Sequence, residues 1–370
     1  MRVCMVADKQ LPRDRPTGIG IVAYNLALAM SRHGVAVDYV CKGPSKDEIR
    51  INDYFTIHTV NHFSRDNAFA VRQIIKQTGC RLVHVHSSSA FPSVFLSKLL
   101  GRIVVTHSHG AEPLHPLRLA LLRQAGVELS DKIIAVSKDT QSKVVRTHRV
   151  PRDKVEVVYN GVDTGVFRVV SGNEETLIKY GLGNLKGLIL SVGAVQRRKG
   201  QWRIIESLPA ILKKWPRLAY VNVGTAYDSS YRDKLIERVR ELGLSQAVRF
   251  IEAVPQGDLV SIVNLATVCV QPSVLEPFGL AVAEEMACGR PVVAFDVSAL
   301  PEIIENGVDG ILVAPEDARG LTNSILNLLE DPSLSRRIGE AARQKVATRF
   351  TWDMAATQLE GIYERLLPNC

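Results

Sequence analysis

Residues 188–214 read LILSVGAVQRRKGQWRIIESLPAILKK, and the reading of this stretch decides the fold. Leu188–Val192 is an apolar run long enough for one buried strand and too short for a helix. Gly193 ends the run, and a basic turn follows up to Gly200. From Gln201 to Lys214 the apolar residues Ile204, Ile205, Leu208, Ile211 and Leu212 recur at helical spacing. Strand, glycine turn and amphipathic helix make the half-unit of a parallel α/β sheet.

The same theme recurs on both sides. Downstream lie Ala219–Val223, a helix over Tyr231–Leu242, Val248–Ile251, a helix around Gly257–Ala266 and Val268–Gln271. A helix over Leu280–Cys288 and a strand at Pro291–Phe295 follow. Upstream lie Arg2–Ala7, a helix around Ile21–His33, Val35–Cys41, a helix around Asn67–Thr78 and Leu82–His86. Then come Phe91–Leu100, Ile103–His107, a helical region near Leu114–Gly126, Lys132–Val136 and Val155–Val158. Asn160-Gly161 is a turn dipeptide, and Asp163 to Asn184 is polar without a strong strand. The expected organisation is therefore two doubly wound, Rossmann-like α/β domains with parallel sheets. They cover residues 1–165 and 166–351, and a helix over 352–370 is expected to pack back on the first. Ligands of such sheets bind at the carboxyl ends of the strands, and the cleft between two such domains is the expected site.

Composition narrows the class. The chain has 370 residues, 46% of them hydrophobic and 23% charged, as expected of a globular protein with room for two domains. No apolar run approaches the roughly 20 residues that span a bilayer. The first apolar segment, Val3 to Ala7, is too short for a signal peptide, so a cytoplasmic location is expected. The six cysteines are scattered without a C-x-x-C pair, which argues against a disulfide framework or zinc site. Residues 1–165 carry 23 Lys/Arg against 14 Asp/Glu, and the remainder 23 against 24. The excess of positive charge thus lies in the first half. It is either a solvated surface or a face for an anionic partner such as a membrane or phosphorylated acceptor. A nucleic-acid partner is not expected.

Four clusters carry candidate chemistry. Pro16-Thr17-Gly18-Ile19-Gly20 lies between the first strand and a helix, where glycines let an anion approach backbone N–H groups. It lacks a dinucleotide fingerprint and by itself reads as a plain strand-to-helix turn. Arg197-Arg198-Lys199 follows a strand at a second such junction. It is either an exposed basic turn or a diphosphate clamp, with Lys as point charge and Arg as fork. Gln271-Pro272-Ser273-Val274-Leu275-Glu276-Pro277-Phe278-Gly279-Leu280 leads from a buried strand into a helix bearing Glu284. Pro277 suits the first helical turn and Gly289 the C-terminal cap. That reading sets Glu276 at the helix mouth and Glu284 two turns inside, unless the pair is a capping acid and a solvated glutamate. His84, His86, His107, His109 and His115 gather after two successive strands. Without metal-ligand spacing or nearby carboxylates they read as hydrogen-bonding groups for a polar ligand.

Taken in order, these segments resemble the retaining GT-B glycosyltransferases of glycosyltransferase family 4, over nearly the whole chain. The most specific match is Pro272-Ser273-x-x-Glu276-Pro277-Phe278-Gly279-Leu280 followed by Glu284. Thr106-His107-Ser108-His109-Gly110, Asp131–Ser137 and Tyr159–Asp163 agree in order. The resemblance implies that Glu276 and the backbone at Pro277, Phe278, Gly279 and Leu280 bind the donor sugar and β-phosphate. Glu284 would bind the ribose, Lys199 the phosphates, Gly18 and Gly20 the β-phosphate side, and His109 the transferred sugar; Val254 joins the donor-binding set. Catalytic roles fall to His109, Glu276 and Lys199. Two departures stand out: Ala194 replaces an arginine usual in the family, leaving Arg197 or Arg198 to supply a guanidinium, and Ser298-Ala299 replaces paired glycines before Glu302.

The implied reaction moves a hexosyl unit from a UDP- or GDP-sugar to a glycan or glycolipid acceptor in lipopolysaccharide or surface polysaccharide biosynthesis. It needs neither cofactor nor metal, because cations and helix N–H groups stabilise the leaving diphosphate. The acceptor, lipid-linked or anionic, would sit on the first domain, and Leu114–Arg123 is a segment that suits a membrane face or an ordinary amphipathic surface. The rival readings are an inactive sugar-nucleotide-binding subunit and a GT-B nucleotide-sugar epimerase.

Overall fold

The computed structural model describes residues 1–10, 18–43, 45, 47–60, 63–86, 91–110, 117–171, 174–182 and 186–367. Pro16, Thr17, Leu114 and His115 lie outside them. The chain divides into two compact units: Met1–Gly161 with Trp352–Cys370, and Val162–Thr351.

In the first unit the elements run β1 (Arg2–Gln10), α1 (Gly18–Arg32), β2 (Ala36–Lys42), β3 (Glu48–Asn52), β4 (Phe55–Val60), α2 (Phe63–Thr78) and β5 (Leu82–Val85). They continue with α3 (Phe91–Leu99), β6 (Ile103–Ser108), α4 (Leu117–Leu129), β7 (Lys132–Ala135), α5 (Lys138–His148) and β8 (Val155–Val157). The eight strands are ordered β3-β4-β2-β1-β5-β6-β7-β8, parallel except for the β3–β4 hairpin. That hairpin was not anticipated from the sequence, although residues 55–60 read FTIHTV with every second side chain inward. Side chains of β5 alternate between faces. Val83 and Val85 join the apolar cluster under α2 and α3, whereas His84 turns to the opposite face.

The second unit contains α6 (Glu174–Lys179), β9 (Gly187–Val192), α7 (Gln201–Lys214), β10 (Leu218–Val223), α8 (Ser229–Glu241), β11 (Val248–Ile251) and α9 (Gln256–Leu265). It continues through β12 (Val268–Gln271), α10 (Leu280–Ala287), β13 (Val292–Phe295), α11 (Leu300–Ile303), β14 (Ile311–Val313), α12 (Ala318–Glu330) and α13 (Pro332–Arg349). Its six strands are all parallel, in the order β11-β10-β9-β12-β13-β14. Every residue of β10, β12 and β13 is buried, which is why these segments are apolar apart from Asn222 and Gln271 rather than alternating. Helix starts are marked by side-chain caps: Asp228 accepts from Tyr231 N–H, Asp317 from Gly320 N–H, and Asp331 from Ser333 and Leu334 N–H. The last helix, α14 (Trp352–Leu366), belongs to the first unit, where it packs along α1 and His33 meets Glu360 at 2.9 Å.

Among the described residues no helix is long and apolar enough to cross a membrane. The five described cysteines are buried.

Helices α10 and α13 cross at a pair of glycines. Gly289 has φ +66° at the end of α10, and a Cβ on Gly339 would overlap its carbonyl oxygen. Alanine at 339 would gain helix propensity but force the two backbones apart, and overpacking of this kind costs about 1–3 kcal/mol. Gly339→Ala is expected to lower the melting temperature of the second unit by roughly 3–10 °C in calorimetry.

Candidate functional site

In the second unit the strand order reverses between β9 and β12. Loops leaving two such adjacent strands diverge to opposite faces and open a crevice at the carboxyl edge of the sheet. The β9 loop carries Gly193–Gly200 and the β12 loop carries Pro272–Gly279. The two are tied together: Val274 N–H donates to the Arg198 carbonyl at 2.9 Å. Gly200 has φ +70°, and any Cβ there would overlap the Pro272 carbonyl, so only glycine allows the loops to close to this spacing.

The three cations of the β9 loop form one 3-10 turn and diverge. Arg197 is exposed, with its guanidinium 5.4 Å from the ring centroid of Tyr231. Arg198, also exposed, donates to Gln196 Oε1 at 3.2 Å and reaches the Leu275 carbonyl at 3.4 Å. Lys199 turns inward, its stem passing over Gly193, and its Nζ donates to Glu276 Oε2 at 2.7 Å. Only 12% of the Lys199 side chain and 14% of the Glu276 side chain are exposed, so water screens this pair weakly. Lys199, Arg198 and Glu276 are thus brought together, and Arg197 is carried off toward α8.

Two expectations about the β12 loop are corrected. Pro277 does not lie in the first turn of α10, which begins only at Leu280. Gly279 is the cap residue, with φ +102°, and its lack of a side chain makes room for Leu300. For the same reason Glu284 sits about one turn inside α10, not two. Phe278 is buried edge-on against Phe350, with ring centroids 6.0 Å apart, and anchors the loop. The leading N–H groups of α10, from Leu280 onward, have no acceptor within the helix and favour an anion. The Glu276 carbonyl accepts from Ala299 N–H at 3.2 Å. Next to it Ser298 holds φ +51°, the left-handed conformation that a glycine would take more easily. Val254 follows β11, which β10 separates from β9.

Sequence reasoning missed Gln271 and Glu285. Gln271, buried at the end of β12, donates through Nε2 to the Val192 carbonyl at 3.1 Å and to Glu285 Oε1 at 2.7 Å. It joins the ends of β9 and β12 to α10. The available signal was helical spacing, since Glu285 shares the inward face of α10 with the buried Val282 and Met286. Burial pushes the Glu285 carboxyl up to about 8, and it does the same to the half-buried Glu284.

In the first unit, Gly18 and Gly20 lie in the first turn of α1, exposed and buried respectively. His84 in β5 and His107 in β6 pack with His86 and His109, just beyond those strands, as near-parallel rings: centroids are 4.4 Å apart for His84–His86, 4.7 Å for His86–His107 and 4.6 Å for His107–His109. Burial lowers the pKa of His84 to about 3 and those of His86 and His107 well below the usual imidazole range. Ring nitrogens of His84, His86 and His107 lie within 4.8 Å of one another. The three rings are within 28° of parallel, so their in-plane lone pairs run side by side and do not converge as a tetrahedral centre requires.

Comparison with known proteins follows this division. The family model described as Glycosyltransferase Family 4 matches residues 16–166, and that described as Glycosyl transferases group 1 matches residues 173–345. The alpha-maltose-1-phosphate synthase of Mycolicibacterium smegmatis is 28% identical over 391 residues, covering 99% of this chain and 100% of that protein. The D-inositol 3-phosphate glycosyltransferase of Thermobifida fusca is 31% identical over 250 residues, 66% of this chain and 57% of that protein. Among solved structures, sucrose-phosphate synthase from Thermosynechococcus elongatus superposes with a TM-score of 0.83 at 23% identity over 99% of both chains, a likeness of fold.

The raised carboxyls carry a sign for stability. An unfolded glutamate releases its proton near 4.5, whereas Glu285 keeps it to about 8. Between these values the folded unit binds more protons than the unfolded chain, so stability is greatest at the acid end and is lost as pH rises. Glu285→Gln keeps the hydrogen-bonding shape and removes this titration. Its melting temperature is expected to fall less than that of the wild type between about pH 5 and pH 8; parallel curves would contradict a protonated Glu285.

Proposed function

This chain belongs to the GT-B glycosyltransferases described by the family 4 and group 1 models, and we propose that it transfers a hexosyl unit from a UDP- or GDP-sugar with retention at the anomeric carbon. The acceptor in this reading is a glycan or lipid-linked glycan of lipopolysaccharide or surface polysaccharide synthesis, met at the cytoplasmic face of the membrane.

The observation that carries the donor reading is the Lys199–Glu276 contact of 2.7 Å at the strand reversal. An ammonium has three donors, so Lys199 can hold Glu276 and still offer N–H groups to a phosphate. Arg198, beside the Glu276 segment, supplies a second cation, and the leading N–H groups of α10 supply a fixed dipole. As the bond to the leaving diphosphate breaks, negative charge grows on its oxygens. These groups neutralise it without reorganising, so the mechanism calls for no metal. Glu276, held by Lys199, accepts from hydroxyls of the transferred sugar, and Glu284 accepts from the ribose diol. His109 is assigned to the transferred sugar, as the family resemblance implies.

Two observations support an anionic, membrane-linked acceptor. The relatives named above are an alpha-maltose-1-phosphate synthase and a D-inositol 3-phosphate glycosyltransferase, names that each carry a phosphorylated sugar or polyol. In the first unit α3 packs between α2 and α4, and the three expose Phe69, Phe95, Leu99, Leu121 and Leu122 beside the exposed cations Arg72 and Lys76. Exposed apolar side chains with cations on the same helical layer suit an anionic bilayer surface.

Lys199→Ala is expected to weaken UDP or GDP binding at least tenfold in calorimetry, in keeping with loss of a buried charge-assisted contact. Glu276→Gln, which removes a negative charge beside the phosphates, is expected to bind the diphosphate at least as tightly while transfer of labelled sugar falls by more than about tenfold. Unchanged binding in the first variant or full transfer in the second would sink these assignments. For the surface, phosphatidylglycerol vesicles should co-sediment the protein and phosphatidylcholine vesicles should not; Phe69→Ser with Leu121→Ser should abolish the difference.

A further inference from the structure

The histidine stack poses a question that sugar binding alone does not answer. His86 is fully buried, and its Nε2 has no hydrogen-bond partner among the described residues. Nor have His84 Nε2 or either ring nitrogen of His107. Leucine or phenylalanine would fill such a position without stranding a polar atom, so the imidazole of His86 is there for what its other nitrogen does. That nitrogen, Nδ1, lies 3.2 Å from His109 Nε2.

One proton occupies this contact, because burial keeps His86 neutral. Were the proton on His109, the remaining proton of His86 would sit on Nε2 as a buried N–H with no acceptor. With the proton on His86 Nδ1, Nε2 keeps only a bare lone pair. Orphaned buried N–H groups are the rarer and costlier of the two. His107 packs against both rings, 4.7 Å from His86 and 4.6 Å from His109, whose own centroids are 5.3 Å apart. His84 backs His86 at 4.4 Å and is itself bonded through Nδ1 to the Tyr363 hydroxyl.

We infer that His86 is a positioning residue that donates from Nδ1 to His109 Nε2 and thereby fixes His109 as a neutral imidazole protonated at Nδ1. His109 then presents a hydrogen-bond donor, and no basic lone pair, on its remaining nitrogen. Such a group orients a sugar oxygen and stabilises negative charge on it; it does not remove a proton from the acceptor. The functional half of this inference rests on the assignment of His109 to the transferred sugar, whereas the tautomer itself does not.

Long-range proton–nitrogen correlation spectra of the full chain labelled with ¹⁵N-histidine read the tautomer directly, without turnover. His109 in the wild type is expected to be protonated at Nδ1 and bare at Nε2. His86→Leu removes this donor and should shift His109 toward the Nε2-protonated form, and lower kcat roughly 10- to 100-fold with little change in KM for the nucleotide sugar. His86→Asn, whose amide N–H can stand in for Nδ1–H, should keep the wild-type spectrum and most of the rate. A His109 protonated at Nε2 in the wild type overturns the inference even if His86→Leu does not fold, and so does a tautomer unchanged in His86→Leu. Full transfer by His109→Ala would instead overturn the sugar assignment and leave the spectroscopic result standing.

Discussion

The reversal of strand order between β9 and β12 is the constraint on which the candidate donor site depends. Lys199 and Glu276 are 77 residues apart in the chain, yet each follows directly on one of these two neighbouring strands. Nothing in either loop alone would bring an ammonium and a carboxylate to 2.7 Å. The sheet does so by placing both loops at one edge, Gly200 by letting them close, and Gln271 by joining both strand ends to α10. Positioning is thereby done by rigid elements, which makes a charged constellation reproducible without a bound ligand.

Much of this was legible in the sequence, and the limits have physical causes. Parallel strands buried on both faces are mostly apolar, so Leu188–Val192 and Val268–Gln271 announce themselves, and with them the α/β class. The basic turn and the two glutamates were legible as residue types at strand ends. Their partners were not, because pairing is set by sheet order and not by chain distance. Arg197 and Arg198 differ by one residue of helical phase in the loop's 3-10 turn, which sends one toward Tyr231 and the other toward the Leu275 carbonyl. The start of α10 was misplaced because Pro277 is an acceptable first-turn residue in general, and only the left-handed Gly279 shows where the helix begins. Gln271 and Glu285 went unnoticed because a polar pair that satisfies itself leaves no trace in an apolar pattern.

The two units also carry buried titratable groups of opposite habit. In the first, neutral imidazoles at positions 84, 86 and 107 resist protonation, so the folded state holds fewer protons than the unfolded chain and loses stability as pH falls below the usual histidine range. In the second, Glu284 and Glu285 resist deprotonation, and the loss runs the other way. For these particular groups exclusion of water favours the neutral form, of bases in one unit and acids in the other.

The route of the chain has a consequence for how the protein is made. The second unit is inserted between two parts of the first, and its ends lie side by side: Val162 N–H donates to the Phe350 carbonyl at 2.8 Å, and Val162 bridges Thr351. A ribosome therefore releases the eight-stranded sheet long before it releases α14. Throughout synthesis of the inserted unit, His84 has no Tyr363 hydroxyl above it and α1 has no α14 beside it. The first unit to emerge is thus the last to be completed, and the histidine stack takes its final partner only after the second unit has been synthesised.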